Sequence, residues 1–349
     1  MTEVFVSVAG QNDNLGDSVL RRGFRAAFAH PQVARTHVHV GDNDDDYLSA
    51  VGLTGDEILY RSATSWTKAL DRSVWRTRTV LGFNAGEVQV TSSRAHLGWR
   101  SVGRIRLARL RRGGGIHVGV GIRAPHQGST RALRAALRSC ALVTWRDEPS
   151  REAVGIGTVE PDWAFGERSE GLPALTRDRI VVSLRGDRAA PTQRWLDAVR
   201  GFADRADAAV VVFSQVRRDN ERAEDIARAL GAAETITWES GSHADWERRA
   251  RSLYRSASAV VSDRLHALVI GATEGAVPVG MTVGSPEKLQ RTLGAAGLGA
   301  FAFGVDTGDD DKSMVAAELS HQIPVVREAV EQARVRLDAL TAMIGEHLA

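Results

Sequence analysis

The sequence has one cysteine, and Cys140 alone can form no internal disulfide and no cysteine-based zinc site. Its neighbours Ala141, Leu142 and Val143 are apolar, so it reads as a buried structural thiol. No acidic or histidine cluster stands at ligand spacing, and no metal or cofactor is expected. No apolar run approaches the roughly 18 residues that span a bilayer. The first residues, Met1-Thr-Glu-Val-Phe-Val-Ser-Val8, lack the positive start of a signal peptide and enter a strand pattern directly. A cytoplasmic protein is expected. Excess charge is missing too: a net charge of +2 demands no nucleic-acid partner. The loop after the first strand contains neither Gly-x-Gly-x-x-Gly nor Gly-Lys-Ser/Thr, which excludes a dinucleotide fingerprint and a Walker loop there. Internal repeats and low-complexity tracts are absent.

What is present has the composition of a soluble globular chain long enough for two domains. Its most informative stretch is 258–280. Ala259 to Val261 is short, apolar and β-branched, and predicts a buried strand. Ser262 or Asp263 can cap the helix that follows. Leu265, Leu268, Val269 and Ala272 recur at offsets 0, 3, 4 and 7, one apolar helical face. Gly275 stops that helix, and residues 277–281 predict the next strand, with Pro278 near its start. Arg264 and His266 then stand at the carboxyl end of a strand and in the first turn of a helix. Ligands of open α/β sheets bind at that edge, and a helix N-terminus favours anions. A guanidinium and an imidazole there suit a phosphate or carboxylate; taken locally, they also suit the start of a surface helix.

Elsewhere strand and helix patterns alternate. Residues 3–8 predict a strand that runs into a loop with Asn14, Gly16 and Asp17, then a helix over 18–29. Boundaries are weak over 31–93, with strands at 37–40 and 88–91 and a helix at 67–75. The segment 94–112 carries Arg94, Arg100, Arg104, Arg106, Arg109, Arg111 and Arg112 around an imperfect apolar face. It fits a solvated helix packed on its domain, or a patch facing an anionic acceptor or membrane headgroups. A strand at 117–122, a helix at 130–138 and Leu142-Val-Thr-Trp145-Arg146-Asp147-Glu148-Pro149-Ser150 follow. Arg146 reads either as a structural ion-pair residue or as a ligand contact. A polar linker at 166–179 precedes a regular series: strands at 180–184, 210–214, 235–238 and near 301, with helices at 192–206, 222–230, 245–256 and 286–293. Regular alternation predicts parallel, doubly wound sheets. Asp309-Asp310-Asp311-Lys312 reads as a solvated loop, and residues 315–348 as helix broken or kinked at Pro324.

Ser262-Asp-Arg-Leu-His266, followed by an apolar helix and Val277-Pro-Val, resembles the signature of the polysaccharide pyruvyl transferase family. Asn14, Gly16 and Asp17 match its N-terminal Asn-x-Gly-Asp loop. Gly119-Val-Gly121-Ile with Pro125 resembles its Gly-x-x-Ile-x-Pro turn. Arg146 to Ser150 matches its Arg-Asp-x-x-Ser motif, and Pro161-Asp162-Trp-Ala-Phe165 its Pro-Asp-x-Ala-Phe element. Asn84-Ala85-Gly86 departs from the Gly-Gly pair usual in the family.

The resemblance implies two Rossmann-like domains with parallel sheets facing a cleft, as in the GT-B architecture. The N-terminal acceptor-side domain would be 1–168, the donor-binding domain 176–312, and the C-terminal helical segment 313–349. It implies transfer of pyruvate from phosphoenolpyruvate onto a sugar diol of a cell-surface polysaccharide or its lipid-linked precursor, as a ketal. His266 would be the general acid, Arg185, Arg264, Lys288 and Arg146 would bind the donor, and Asn14 and Asp17 would meet acceptor hydroxyls. Asp17 can equally cap the helix that follows it. The protein would work in the cytoplasm or at the inner face of the membrane, with segment 94–112 a candidate peripheral contact. Two other functions share the fold: a glycosyltransferase using a nucleotide sugar, and a non-catalytic glycan-binding relative.

Overall fold

Every strand ladder among the described residues is parallel. The computed structural model describes residues 1–83, 85–90, 97–124, 130–168, 176–305 and 319–349. It divides into two units. The first is Met1–Asn12, Asp17–Gly166 and Val335–Ala349; the second is Asp13–Gly16 and Glu167–Arg334. Asn84, Arg94, Pro125, the 309–312 loop and part of the expected linker lie outside the described residues.

In the first unit the strands are β1 (Thr2–Ser7), β2 (Val33–His39), β3 (Ile58–Tyr60), β4 (Arg78–Phe83), β5 (Gly86–Gln89), β6 (Gly114–Arg123), β7 (Cys140–Trp145) and β8 (Thr158–Val159). Their order is β3-β2-β1-β4-β6-β7-β8, with β5 also on β6. The helices are α1 (Leu15–Ala26), α2 (Asp45–Ala50), α3 (Ala63–Arg76), α4 (Trp99–Leu110), α5 (Arg131–Leu137) and α6 (Glu148–Val154). Phe5 and Leu81 of the sheet pack with Leu70 and Val74 of α3 and Ala108 of α4. The sequence patterns did not announce β4, although it lies between β1 and β6. Only Thr77 separates it from α3, so no glycine or proline marks the change from helix to strand.

The second unit holds β9 (Arg179–Ser183), β10 (Ala209–Phe213), β11 (Glu234–Ile236), β12 (Ala257–Ser262), β13 (Val277–Thr282) and β14 (Ala302–Gly304). The order β11-β10-β9-β12-β13-β14 is doubly wound, with the direction reversing between β9 and β12. Its helices are α7 (Gln193–Arg205), α8 (Asn220–Leu230), α9 (His243–Arg255), α10 (Leu265–Thr273) and α11 (Glu287–Gly294). All six residues of β12 are buried, as a central parallel strand covered on both faces must be. The helix after it is buried on more than the single expected face: Ala267, Ile270 and Gly271 are as covered as Leu268 and Val269. Each large apolar side chain among them contributes about 1.5–3 kcal/mol. Gly275 follows with φ +87°, a conformation that favours glycine and ends the helix.

The last helix, α12 (Leu319–Leu348), runs through Pro324 without a break. Expected as a segment of its own, it is shared: residues to Arg334 belong with the second unit and those from Val335 with the first.

Candidate functional site

The strands β9 and β12 are neighbours and end level, Ser183 beside Ser262. The Ser262 hydroxyl donates to the Ser183 carbonyl and accepts from the Arg264 N–H at 2.9 Å, so one side chain ties both strand ends. Arg264 occupies the N-cap position of α10 in extended geometry, and its side chain makes no cap hydrogen bond. Instead its Nε and Nη2 both donate to Oδ2 of Asp219, which follows β10 and is buried. The other Asp219 oxygen accepts from the Gly186 N–H at 2.8 Å. Asp263 accepts from the Arg185 N–H at 2.9 Å, and the Arg185 fork donates to Asp187 through Nε at 2.8 Å and Nη2 at 2.6 Å. The loops after β9, β10 and β12 are thus cross-linked at the carboxyl edge of one sheet.

The electrostatics follow from burial and pairing. Burial pushes the Asp263 carboxyl above its ordinary range, despite the Arg185 N–H and the nearby guanidinium groups. Burial also lowers the Arg264 guanidinium, against the pull of Asp219. The hydrogen bond from Arg185 holds the Asp187 carboxyl well below the usual carboxylate range.

His266 lies in the first turn of α10, half-buried. Gly16 belongs to the same unit and closes on it: a Cβ built on Gly16 would stand 2.4 Å from the His266 Cβ and 2.5 Å from its Nδ1. Only a glycine fits there. The short segment Asp13–Gly16 is held by an antiparallel bridge between Asn14 and Val216, by the Arg217 N–H donating to the Asp13 carbonyl at 3.1 Å, and by an Arg218–Asp13 ion pair at 3.1 Å. Asn14 accepts from the Gly16 N–H through Oδ1 at 3.1 Å, shaping the turn that presents Gly16. Lys288 is the second residue of α11, after β13 on the same sheet edge, and is half-buried.

Two expected site residues lie in the first unit. Asp17 is inside α1, which starts at Leu15 rather than 18; it accepts from the Gln11 N–H at 2.9 Å and pairs with Arg21 at 3.2 Å. Arg146, grouped with the donor side by resemblance, is only 3% exposed and paired with Asp162 at 3.4 Å and Glu87 at 4.0 Å. Of the two readings left open for it, its contacts describe the structural ion pair. Asp147 beside it caps α6 through the Ser150 N–H at 2.9 Å, and the Ser150 hydroxyl accepts from the Ile122 N–H at 2.8 Å. Asp219 and Asp187 escaped the sequence reading. Asp219 stands six residues past the end of β10, too far along the loop for the strand-end rule that exposed Arg264 to reach it.

Burial pushes the Cys140 thiol up to about 12, which leaves it inert at neutral pH. Among the described residues no group of three or more His, Cys, Asp or Glu could hold a metal ion, and no helix is long and apolar enough to cross a membrane.

The profile of the polysaccharide pyruvyl transferase family matches residues 91–285, more than half of the chain. The chain belongs to this family. The matched region takes in Arg146, Arg185, Arg264 and His266. No curated protein matches the chain. Among solved structures, the lipopolysaccharide outer core galactosyltransferase WaaB in its apo form is similar at 10% identity, with 99% of each chain covered and a TM-score of 0.54. E. coli ADP-heptose lipopolysaccharide heptosyltransferase II is 12% identical over 95% of this chain and 99% of its own, with a TM-score of 0.45. A Thermobaculum terrenum O-GlcNAc transferase mutant is 14% identical over 100% of this chain and 68% of its own, with a TM-score of 0.47. By its two parallel sheets, its last helix and its likeness to WaaB, this pyruvyl transferase family member has two parallel-sheet α/β domains of the GT-B class with a C-terminal helix.

Proposed function

We propose that the protein transfers a pyruvyl group from phosphoenolpyruvate onto two hydroxyls of a glycan or lipid-linked saccharide as a cyclic ketal. The observation that carries this reading is the convergence of Arg185, Arg264 and His266 at the carboxyl edge of the second sheet, where α10 begins with no side-chain cap. That helix start, with two guanidinium groups beside it, suits a donor bearing both a phosphate and a carboxylate. Lys288 adds a point charge from the next helix on that edge.

His266 supplies the proton. An imidazole can give and take one near neutral pH. It protonates the donor's methylene carbon; the enol carbon becomes oxocarbenium-like, and a sugar hydroxyl adds to it, returning its proton to the imidazole. The C–O bond to phosphate then breaks, the second hydroxyl closes the ketal, and its proton leaves with the phosphate as hydrogen phosphate. Arg264, fixed by Asp219, stabilises the charge on the departing phosphate. Arg185 already holds a carboxylate, that of Asp187, in a two-pronged grip. The donor's carboxylate has the same shape and takes that place. Asn14 stands near the ring of His266 through Gly16 and meets the acceptor.

The test is to incubate the protein with phosphoenolpyruvate and a panel of glycosides, following phosphate release and a ketal mass shift in the acceptor. Both are expected with the native chain and neither with His266→Ala. Turnover of nucleotide sugars with phosphoenolpyruvate untouched would instead establish a glycosyltransferase.

A further inference from the structure

The charge of this chain is unevenly placed. Helices α3 and α4 carry seven basic side chains and one acid, Asp71. They contribute +6, which leaves the remainder of a chain of net charge +2 at −4. The single acid is neutralised within the pair, for Arg104 of α4 grips Asp71 of α3 at 2.6 and 3.1 Å. That grip and the shared packing of Leu70, Val74 and Ala108 put both helices on one face of the first sheet.

The apolar residues of α4 do not make it a free amphipathic helix. Val102, Ile105 and Ala108 are spent on the domain core. The outward sides are basic: Lys68, Arg72 and Arg76 on α3 and Arg100, Arg106 and Arg109 on α4 are all exposed. Among them stand large apolar groups that water does not favour. Trp75 is 64% exposed, Trp99 69% and Leu110 81%. Exposed tryptophan set among cations, with the one carboxylate of the two helices held by Arg104, matches the headgroup layer of an anionic bilayer, where indole rings settle and phosphates attract arginine.

We infer that the outer face of α3 and α4 is a docking surface for an anionic lipid membrane, held by its arginines and anchored by Trp75 and Trp99. The contact is peripheral, weakened by salt, and independent of the identity of the donor.

The test is co-sedimentation of the full chain with vesicles of phosphatidylcholine, alone or mixed with phosphatidylglycerol. At low salt the mixed vesicles are expected to carry down at least about tenfold more protein than the neutral ones, and high salt should release it. The double variant Arg72→Glu, Arg106→Glu reverses two exposed charges outside the core and should abolish sedimentation, with the melting temperature as a check on folding. Trp75→Ser with Trp99→Ser should weaken binding to the mixed vesicles without changing its salt dependence. Equal sedimentation with both vesicle types, or with neither, would overturn the proposal. So would a soluble acidic polysaccharide that holds the native chain as tightly as the vesicles do, since that would reassign the face to a glycan polyanion.

Discussion

Each domain places an arginine and an aspartate together just after an interior strand and just before a helix, yet the two pairs do opposite work. After β7 the pair is Arg146-Asp147. There Asp147 closes the start of α6, while Arg146 is buried against Asp162 and Glu87. After β12 the order is Asp263-Arg264. There Asp263 reaches sideways to the loop after β9, Arg264 is held by Asp219, and the start of α10 has no side-chain cap. The same two residue types at the same kind of strand edge make a closed junction in one domain and an anion-ready helix start in the other. What separates them is where the adjacent aspartate turns. Asp147 folds back onto the N–H of its own helix, whereas Asp263 reaches to the loop after β9 and leaves the start of α10 without a side-chain cap.

The sharpest way to break that contrast is at the chemistry. His266→Ala should lower turnover by about a thousandfold, within the usual range for a general acid, with the melting temperature nearly unchanged; steady-state phosphate release checks the first and a thermal melt the second. On the closed side, Arg146→Ala leaves the buried carboxylate of Asp162 without its cation, while Glu87 keeps its pair with Arg123 at 2.8 Å. The expected cost is about 3–5 kcal/mol of folding stability, read by denaturant unfolding, while donor KM in the folded fraction stays unchanged. A raised KM with full stability would move Arg146 into the site.

Gly16→Ala forces a methyl into the His266 ring. A destabilisation of about 1–3 kcal/mol is expected, together with a fall in kcat of about tenfold from the displaced imidazole. Unchanged kcat in a stably folded variant would detach this loop from catalysis. Asp187→Asn frees the Arg185 fork, and donor KM should fall by about threefold, consistent with the modest strength of an exposed ion pair; a rise in KM would show that the donor does not replace that carboxylate.

The smallest effect concerns Asp263. Burial raises its folded pKa above the unfolded value, so its contribution to stability is fully present at low pH and is lost as pH rises through the raised value. Asp263→Asn keeps an acceptor for the Arg185 N–H and cannot ionise. Relative to the native chain, melts should show little difference in acid and a gain of about 1 kcal/mol above neutrality. A gain in acid that vanishes at high pH would reverse the assigned shift.

Much of the second domain was legible in the sequence. Its strands and helices are amphipathic or uniformly apolar at distinct periods, and turn residues separate them, so the order from β9 to α11 could be read almost element by element. The first domain was less so. Strand β4 abuts α3 with one intervening residue, and β3 is only three residues long, too short to show a period. Segment 94–112 offered two readings, a packed helix and an anionic contact; Val102, Ile105 and Ala108 bury one side of α4, and the contact is what we propose for the other side.

Which residues stand at strand ends is written in the order of the amino acids. That property is local, set by hydrophobic period, capping chemistry and the glycine or proline that closes each element. It therefore named Arg264, His266, Arg185 and Arg146 together, with nothing to rank them. Tertiary structure alone decided that Arg264 faces Asp219, 45 residues away, that Arg146 is enclosed by Asp162 and Glu87, and that Gly16 lies against His266, 250 residues away. A buried charge must find its partner wherever packing brings one. That choice depends on which loops the sheet order sets side by side, which no short window of sequence contains.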